Sequence, residues 1–341
     1  MAAKKRFKLG LIGTDSLRGR EIKNILGNKK MSAFDLEFFD PEIKEEYSKL
    51  TEFKKEAKVI HGLAADSLAG KDLVFLAADP ELNRALGRRA KELGVLVIDL
   101  AEAFNDDPSV PLIVAGVNDA SRPKGALIIA GPHPVAVILA HAFHALRRKF
   151  GVSKAVTFVL EPASAFDDPG IQELASQSVS LLTGASPKKS VFKEQLAFNI
   201  LSHSEPLGPD GFGENERRIV AELRRVLDDP AFPVSLTTIQ APVFHTYSMM
   251  LYVELEKDAS IEALEALFSK LPAFKTTSVR EGSGPSSISV SGKDEIHVGP
   301  IKQEPGDGRA FWLWLIADNL TRGSALNAFE IARTILEGRS R

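Results

Sequence analysis

The chain has 341 residues, of which 44% are hydrophobic and 26% charged, a composition typical of a globular protein with two or three domains. Its 43 basic and 45 acidic side chains leave a net charge of −2 without a long basic run, which argues against nucleic acid and anionic membranes as partners. The sequence has no cysteine, which excludes disulfides, thiolate metal sites and a cysteine nucleophile.

No targeting or membrane-spanning segment is predicted. The basic stretch 1–9 leads into an apolar run that is too short for a signal peptide and is interrupted by Gly10 and Gly13. No stretch of about eighteen uncharged apolar residues occurs, so no transmembrane helix is expected. Together with the missing cysteines, these features predict a cytoplasmic protein.

The first 132 residues alternate short apolar runs with helical patterns. The stretch "FKLGLIGTDSLRGREIKNIL" is typical of a strand, a glycine turn and a helix, and another helix is predicted over residues 80–93. Further strands are predicted over residues 34–40, 72–79, 95–100, 111–118 and 126–131. The run "KKEAK" near residue 56 is interpreted as a solvated helix face. This alternation predicts an α/β fold, in which residues 1–132 form a Rossmann-like domain with a doubly wound parallel sheet.

After a predicted helix at residues 134–149, the pattern changes to longer β-rich runs. These runs are "KAVTFVLEP", "VSLTTIQAPVFH", "SMMLYVELE" and "AFWLWLIADN", with helices predicted over 170–183, 214–227 and 260–269. The segments "EGSGPSSISVSGKDE" and "KQEPGDGR" are predicted to be exposed loops. Residues 133–322 are therefore predicted to form an α+β domain. A final amphipathic helix, residues 323–338, is expected to complete the first domain because its apolar stripe must be buried.

The glycine turn after the first strand is a candidate nucleotide site. Glycines there allow a tight turn and let backbone N–H groups approach a pyrophosphate at a helix N-terminus. The candidate cofactor-binding residues are Gly10, Gly13, Ser16, Gly19 and Asp40. Asp40 ends the second strand and could bind a ribose hydroxyl, which favours NAD over NADP. The alternative is an ordinary turn that binds no nucleotide, since Ser16 replaces a glycine and the charge of Asp15 is only partly offset by Arg18.

The stretch "IIAGPHPVAVILAHAF" places His133 and Pro134 where an apolar strand leads into a helix, a common position for a nucleophile or an anion site. His141 and His144 share a face of that helix, but no carboxylate has matching spacing, so packing is favoured and no metal site is predicted.

A hydrolase built on Ser248 and a histidine is disfavoured because neighbouring strand residues point to opposite faces. The tryptophans of "FWLWLI" are interpreted as sheet core or dimer interface.

Several stretches together resemble the aspartate-semialdehyde dehydrogenase family, and the likeness spans nearly the whole chain. The most specific are "ADNLTRGSALNAFEIA" (residues 317–332) and "KEQLAFNILSHSE" (193–205), supported by "GIQELASQS", "VIDLAEAF" and "APVFHTYS". The resemblance implies an NADP-binding domain and a dimerisation domain of the semialdehyde dehydrogenase type, and therefore a homodimer. It also implies reductive dephosphorylation of an acyl phosphate through a cysteine thioester.

The reactive positions implied by the resemblance are changed in this chain. Pro134 stands at the position of the cysteine nucleophile, and His133 at that of the preceding asparagine. Tyr247 stands at the position of the histidine base, with His245 two residues earlier. Gln240 replaces the arginine that holds the substrate carboxylate, and a second substrate arginine is replaced as well. The latter position is Asn105, and Val159 stands at the position of a family glutamine.

Some positions of the implied pocket are retained, and together with the changed ones they define a remnant of a substrate pocket. The remnant consists of His133, Asn118, Arg218, Glu222, His245 and Tyr247. No catalytic set is intact, so the chain is expected to be a cysteine-less paralogue that is inactive in the family reaction. Two alternatives stay open: an NAD(P)-dependent oxidoreductase with a cysteine-independent mechanism and Tyr247 as proton donor, or a structural or regulatory partner that forms a heterodimer with an active paralogue.

Overall fold

A computed structural model describes residues 6–44, 48–123, 125–277 and 284–339. The chain divides into two compact units. Unit 1 comprises Met1–His133 with Ser324–Arg341, and unit 2 comprises Pro134–Gly323. No helix in the described part of the chain is both long and apolar enough to cross a membrane.

The described residues form thirteen strands and eight α-helices. The strands are β1 (Phe7–Ile12), β2 (Phe34–Asp40), β3 (Lys49–Phe53), β4 (Glu56–Gly62), β5 (Leu73–Leu76), β6 (Leu96–Asp99), β7 (Ile128–Ala130), β8 (Lys154–Glu161), β9 (Val234–Gln240), β10 (Tyr247–Glu254), β11 (Phe274–Thr276), β12 (Ile296–Gln303) and β13 (Ala310–Ala317). The helices are α1 (Leu17–Asn28), α2 (Pro80–Leu93), α3 (Pro134–Phe150), α4 (Asp167–Leu182), α5 (Glu214–Val226), α6 (Ile261–Ser269), α7 (Ser287–Val290) and α8 (Leu326–Arg339).

Unit 1 is a doubly wound sheet in the order β3-β4-β2-β1-β5-β6-β7. All neighbouring pairs are parallel except β3 with β4. The central strands β5 and β6 are buried along their whole length, as expected for strands covered on both faces. Helix α8 contacts α1, and its apolar residues belong to the same core as β1 and β5. The sheet edge at which β1, β2 and β6 end carries the residues of the predicted nucleotide site.

Two predictions for unit 1 are wrong. Residues 111–118 are not a strand but a series of turns with one bridge, Leu112 to Ala130. Their backbone is bonded by side chains instead, because Asn118 and Asn327 bind backbone groups between Leu112 and Ala115. The run near residue 56 is not a helix face but part of the β3–β4 hairpin. Its turn consists of Lys54 and Lys55, which both have positive φ, as a tight hairpin turn of this kind requires.

Unit 2 is built on a six-stranded mixed sheet in the order β11-β12-β13-β10-β8-β9. In β8 and β10, buried residues alternate with more exposed ones, so the sheet has one buried and one open face. Helices α5 and α6 contact the sheet, and α3 contacts α5. The open face carries Phe158, Met250, Tyr252, Trp312 and Trp314. With unit 1, this confirms the predicted α/β fold class.

Three details of unit 2 differ from the predictions. Strand β9 ends at Gln240, so His245 lies in a bend before β10 and not in a strand. The proposed loop 281–295 contains the short helix α7, while its residues 281–283 lie outside the described part of the chain. The loop proposed for 302–309 begins inside β12, whose apolar and polar residues do not alternate regularly in sequence. Residues 45–47, in the acidic segment after Asp40, also lie outside the described part.

Candidate functional site

The glycine turn of unit 1 lies between β1 and α1. Gly13 has φ = +81°, and a Cβ there would lie 2.5 Å from the backbone nitrogen of Ala78. A Cβ on Gly19 would lie 1.9 Å from the carbonyl oxygen of Gly13, so only glycine permits this approach of α1. Gly10 lies in β1, where a Cβ would meet Val74 at 3.2 Å. The turn therefore keeps the close-packed shape of a dinucleotide-binding turn.

Ser16 has a structural role within this turn. It is the N-cap of α1, and its Oγ accepts a hydrogen bond from the Gly19 N–H at 3.0 Å. The same hydroxyl lies 2.7 Å from the Ala77 carbonyl oxygen, to which it can donate its proton. A phosphate that approached this turn would therefore find the Ser16 hydroxyl already engaged in the bonding of the turn.

Asp40 lies where the sequence placed it, at the end of β2 beside the glycine turn. The carboxylate is buried, and its two oxygens accept the N–H groups of Asp15 at 3.0 Å and of Glu42 at 3.1 Å. The Asp15 carboxylate is 2.7 Å from Lys49 Nζ, while Arg18 lies 3.8 Å from Glu102. Lys49, which the sequence did not indicate, is therefore a cation that offsets the charge of Asp15.

Asp99 organises the segment that follows β6. Its carboxylate accepts hydrogen bonds from Asn83 Nδ2 at 3.0 Å and from the N–H groups of Ala101 at 3.1 Å and Ala103 at 2.6 Å. Burial raises the pKa of Asp99 to about 6, although these hydrogen bonds favour the charged form. Asn105 follows in the same segment and is buried, so this position holds a neutral amide and supplies no positive charge for an anionic ligand.

The remaining predicted residues of unit 1 are Asn118 and His133. Asn118 Oδ1 accepts the Val114 N–H at 2.8 Å, and its Nδ2 donates to the Leu112 carbonyl oxygen at 2.9 Å. This amide therefore holds the turns after residue 111 in shape. His133 is buried and is the last residue of unit 1 before the chain enters α3.

Pro134 is the first residue of α3 and the first of unit 2. Proline suits the first turn of a helix because the missing N–H would have no partner there. The residue is buried, and a Cβ on Gly323 would lie 2.6 Å from its Cβ. Position 134 therefore offers a packed hydrocarbon ring and no group that could attack a carbonyl or phosphoryl centre.

Three buried polar side chains form a row across the sheet of unit 2, which we call the polar row: Gln240, Glu161 and Tyr247. Glu161 ends β8 and pairs in register with Gln240 on β9, whose Nε2 donates to the Glu161 carbonyl oxygen at 3.0 Å. From β10, the Tyr247 hydroxyl donates to Glu161 Oε1 at 3.2 Å. The structure thus brings together two of the predicted positions and adds an acid between them.

The bend before β10 is held by Asn319 of the "ADNLTRG" segment. Asn319 Oδ1 accepts the Thr246 N–H at 3.1 Å, and its Nδ2 donates to Ser164 Oγ at 3.0 Å. His245 lies in this bend and is half-buried. Ser248 pairs in register with Leu160 and Ile316 and alternates with Tyr247, so it lies on the other face of the sheet.

Arg218 and Glu222 are one turn apart on α5. Arg218 Nε lies 4.0 Å from Glu222 Oε1, and its Nη2 donates to Asn215 Oδ1 at 2.8 Å. Glu222 is buried, and Arg218 is half-exposed. Arg218 is therefore a retained cation whose guanidinium is oriented by neighbours on its own helix.

Two side chains of the "GIQELASQS" signature anchor a loop. On α4, the Glu173 carboxylate accepts the N–H groups of Ser190 and Val191, both at 2.7 Å, and of Phe192 at 3.1 Å. Gln177 accepts from residues 196 and 197 and donates to the carbonyl groups of residues 188 and 194. Glu173 and Gln177 therefore hold the start of the "KEQLAFNILSHSE" signature and the residues before it in place.

The histidines of α3 do not form a metal site with other side chains. His141 is buried with its ring edge-on to Phe274, and burial lowers its pKa to about 3. His144 is partly exposed, and burial lowers its pKa as well. Within the described ranges, no group of three or more His, Cys, Asp or Glu side chains is placed to hold a metal ion.

Glu161 is the functional candidate that sequence reasoning missed. The resemblance directed attention to Val159, which is fully buried and apolar, whereas the polar end of β8 lies two residues later. An acid at the end of an apolar strand and directly before a proline, as in "VLEP", was the available signal. The signal is weak, because a glutamate at a strand end is usually solvated.

Two family domains match the chain. Residues 8–123 match the NAD-binding domain of semialdehyde dehydrogenases, and residues 144–322 match their dimerisation domain. The two matches lie in unit 1 and unit 2, respectively. The first contains the glycine turn and the second contains the polar row.

Named relatives are similar over nearly the whole chain. The chain is 27% identical over 329 residues to the aspartate-semialdehyde dehydrogenase of Prochlorococcus marinus, covering 96% of this chain and 95% of the relative. It is 28% identical over 346 residues to that of Mycolicibacterium smegmatis, covering 96% and 98%.

Solved structures show the same fold. Aspartate semialdehyde dehydrogenase II from Vibrio cholerae superposes with a TM-score of 0.90 at 23% identity, covering 98% of this chain and 99% of that one. The aspartate semialdehyde dehydrogenase of Candida albicans, solved with NADP, superposes with a TM-score of 0.70 at 14% identity, covering 99% and 100%. With the domain matches and the missing cysteine, the chain belongs to the semialdehyde dehydrogenase family as a cysteine-less member.

Proposed function

We propose that this protein does not catalyse the cysteine-dependent reaction of its family and acts as a dimeric, nucleotide-binding pseudoenzyme. The observation that carries the proposal is Pro134 at the start of α3 in a chain without any cysteine. A thioester cannot form without a thiol, so the covalent route has no starting point in this chain.

The positions around the lost nucleophile support the proposal. Tyr247, at the position of the histidine base, is buried and directs its hydroxyl proton at Glu161. Gln240 and Asn105, at the arginine positions, are buried neutral amides that cannot make a charged bidentate contact with a carboxylate or phosphate. Each lost role typically lowers the rate by orders of magnitude, and together they leave no working set.

The test is an assay of the purified protein for phosphate-dependent oxidation of aspartate semialdehyde with NAD and with NADP. We expect no turnover above the uncatalysed rate. Iodoacetamide provides the control, because a contaminating host enzyme with a catalytic cysteine would be inactivated, whereas this chain has no cysteine to modify. Turnover that survives iodoacetamide would contradict the proposal and would point to a cysteine-independent mechanism.

For the nucleotide, we propose that unit 1 binds NAD in preference to NADP. Gly13 and Gly19 provide the turn at which a pyrophosphate would lie, and Asp40 places a negative charge beside it. A carboxylate at the end of β2 disfavours a 2′-phosphate and can still accept a ribose hydroxyl, because each oxygen has a second lone pair. We assign this role to residues 1–132 together with the final helix.

Titration with NADH and NADPH, followed by nicotinamide fluorescence, tests this preference. We expect NADH to bind at least tenfold more tightly than NADPH, and Asp40→Asn to reduce that ratio because it removes the charge. Asp72→Asn serves as a control for the loss of one charge from unit 1. Asp72 directly precedes β5, at the end of the sheet opposite the glycine turn. If neither nucleotide binds at up to about millimolar concentration, unit 1 is a scaffold only.

We also propose that the protein forms a homodimer through the open face of the unit 2 sheet. Phe158 is 42% exposed there, and the rings of Tyr252 and Trp312 lie 4.9 Å apart beside it. A contiguous apolar face on a sheet is typical of an interface. Phe158→Glu should therefore convert a dimer into a monomer in light scattering, whereas Leu50→Glu, at an exposed apolar residue of unit 1, should not.

The remaining alternatives can be separated by experiment. A heterodimer with an active paralogue would appear as a mixed species when the two chains are co-expressed with different tags. An oxidoreductase that uses Tyr247 as proton donor is disfavoured, because the tyrosine hydroxyl already donates to Glu161. We also propose a cytoplasmic location, as the sequence predicts. Fractionation of cells that express the tagged chain tests it.

A further inference from the structure

The buried carboxylate of Asp99 fixes the loop that follows β6, residues 100–105. Its Oδ1 accepts the N–H of Ala101 at 3.1 Å, and its Oδ2 accepts the N–H of Ala103 at 2.6 Å. Glu102, between the two alanines, has φ = +61°, a backbone conformation that is uncommon outside glycine. The hydrogen bonds on either side of Glu102 hold the chain in this conformation, so the shape of the loop depends on one carboxylate.

The loop 100–105 lies beside the glycine turn. Asp99 ends β6 and Asp40 ends β2, and the carboxyl ends of parallel strands meet at one edge of a sheet. Arg18, in the first turn of α1, connects the two features, because its Nη2 lies 3.8 Å from Oε1 of Glu102. A change in the loop therefore acts on the first turn of α1, where the proposed nucleotide would bind.

Asn83 on α2 can pair with the Asp99 carboxyl group in both of its protonation states. Its Nδ2 donates to Asp99 Oδ1 at 3.0 Å, which suits the charged carboxylate. The side chain is fully buried, and its Oδ1 has no hydrogen-bond partner among the described residues. A half-turn of the amide exchanges Nδ2 and Oδ1, so that this oxygen can accept a proton from Asp99 Oδ1. Each state of the carboxyl group thus has a matching orientation of the same amide.

The surroundings of Asp99 bring its titration close to neutral pH. Its register partners are Leu76 on β5 and Ala130 on β7, both buried and apolar, and α8 adds apolar residues to the same core. Burial raises the pKa of Asp99 to about 6, and the charge of Glu102 adds to the rise, while the hydrogen bonds to the carboxylate oppose it. Charged groups that face the loop are Glu102 itself, Arg18 from α1, and Arg84 from α2, whose Nε donates to the Ala103 carbonyl oxygen at 2.7 Å.

We propose that Asp99 is a positioning residue that makes nucleotide binding in unit 1 sensitive to pH. The charged carboxylate holds Ala101 and Ala103 and keeps the loop 100–105 in place beside the glycine turn. When Asp99 Oδ1 takes up a proton and donates it to the rotated Asn83 amide, the Ala101 N–H loses its acceptor and the loop is released. The effect on the nucleotide rests on the proposed nucleotide binding, whereas the release of the loop does not.

NMR of the full chain labelled with 15N-alanine and 15N-asparagine tests the release of the loop without nucleotide. Between pH 8 and pH 5, the N–H signals of Ala101 and Ala103 and the side-chain NH2 signals of Asn83 should shift together, with one midpoint at about pH 6. Asp99→Asn should abolish these shifts. Asp106→Asn removes an exposed carboxylate just beyond the loop and is the matched control, which should leave the shifts unchanged.

Calorimetric titration with NAD at pH 8 and pH 5 tests the effect on the nucleotide. One pH unit below the midpoint, about a tenth of the protein carries the charged carboxylate, so the dissociation constant should rise about tenfold. Asp99→Asn should bind NAD with the same, weaker affinity at both pH values, because its amide cannot be charged.

Several outcomes would overturn the proposal. If the Ala101 and Ala103 signals do not shift, or shift with a midpoint different from that of Asn83, the carboxyl group does not control the loop. Shifts without a change in NAD affinity would mean that the loop does not act on the nucleotide site. Absence of NAD binding at both pH values, with the shifts intact, would contradict the proposed nucleotide binding and the coupling to it, but not the release of the loop. If Asp99→Asn fails to fold by circular dichroism, the wild-type titration and Asp106→Asn decide the question.

Discussion

Two buried glutamines in unit 2, Gln177 on α4 and Gln240 on β9, have opposite hydrogen-bonding environments. Gln177 Oε1 accepts the N–H groups of Leu196 and Ala197 at 2.8 and 3.1 Å, and its Nε2 has acceptors as well. Gln240 uses only its Nε2, and its Oε1 is unpaired although the side chain is fully buried. The first glutamine is satisfied by the fold alone, whereas the second is not.

The difference separates a side chain whose polar atoms are all paired within the fold from one whose amide oxygen is not. Glu173 and Gln177 lie in "GIQELASQS", one of the segments that support the resemblance, and they hold a loop in place. Gln240 and Tyr247 lie where the resemblance failed. The parts of the sequence that identify the family therefore specify its scaffold, while the changed positions lie in the polar row.

The largest expected effect is the loss of the loop anchor. Glu173→Ala leaves three backbone N–H groups, those of Ser190, Val191 and Phe192, without their charged acceptor. Hydrogen bonds to charged groups contribute about 1.5–3 kcal/mol each, and partial hydration recovers some of this. We expect the free energy of unfolding in urea to fall by about 4 kcal/mol.

Gln172→Ala is the control for this prediction, because Gln172 is exposed on the same helix. A surface substitution of this kind should change stability by no more than about 0.5 kcal/mol. If Glu173→Ala were as mild as its control, the anchor would not stabilise the fold, and the contrast between the two glutamines would lose its meaning.

A second prediction concerns His141, another buried side chain with an unpaired atom, Nε2. Burial, with a smaller contribution from Arg322, lowers the pKa of His141 in the folded protein from 6.5 to about 3. Below pH 6.5 the unfolded chain binds this proton and the folded chain does not, so stability falls as the pH falls through this window. The loss should reach about 3 kcal/mol at pH 4.5.

His141→Phe should remove this acid sensitivity, since the ring packs edge-on against Phe274 and a phenyl ring fits the same contact. The measurement is urea unfolding of both proteins at pH 7 and pH 4.5. Asp99, whose pKa is raised to about 6 by burial, acts in the opposite direction, because its stabilising contribution is lost as the pH rises. Asp99 is present in both proteins and cancels in the comparison. An unchanged pH slope in the variant would contradict the prediction.

The smallest effect is expected for Gln240→Leu. The substitution removes the unpaired Oε1, and the Glu161 carbonyl oxygen keeps the Ala241 N–H as a donor at 3.0 Å. Replacing an imperfectly paired buried amide with a side chain of similar size is nearly neutral. We expect a change of about 1 kcal/mol or less in urea unfolding, against about 3 kcal/mol for Gln177→Leu. Equal losses at the two positions would show that Gln240 is a structural residue like Gln177.

Much of unit 1 was predictable from the sequence because its buried strands and capped helices have strong local signals. The bounds Phe34–Asp40 and Pro80–Leu93 agree with the predictions, since an apolar strand end and an Asp-Pro cap are unambiguous. The β3–β4 hairpin was missed because most residues of these edge strands are exposed and charged. Residues 111–118 were misassigned because Asn118 and Asn327, which replace the strand bonding, act over a distance that no local pattern reveals.

The candidate site was only partly predictable. The sequence indicated Gln240 and Tyr247 as changed positions, but their pairing with Glu161 depends on the register of β8, β9 and β10. The Asp40 carboxylate was expected to bind a ribose hydroxyl. In the structure it also accepts the Asp15 N–H and so fixes the glycine turn. Such contacts arise from the arrangement of strand ends, which a single sequence does not encode locally.

The contact between Pro134 and Gly323 has a consequence for how this protein can be divided. These residues are the first and last of unit 2, and the ends of that unit therefore lie within van der Waals reach of each other. A unit whose ends meet can be inserted into or removed from another chain with a short connection. Joining His133 to Ser324 through a few flexible residues should therefore yield unit 1 as a separate polypeptide, and unit 2 should tolerate circular permutation. The protein can be regarded as one module carried as an insertion by another, which would let the two units be studied and exchanged independently.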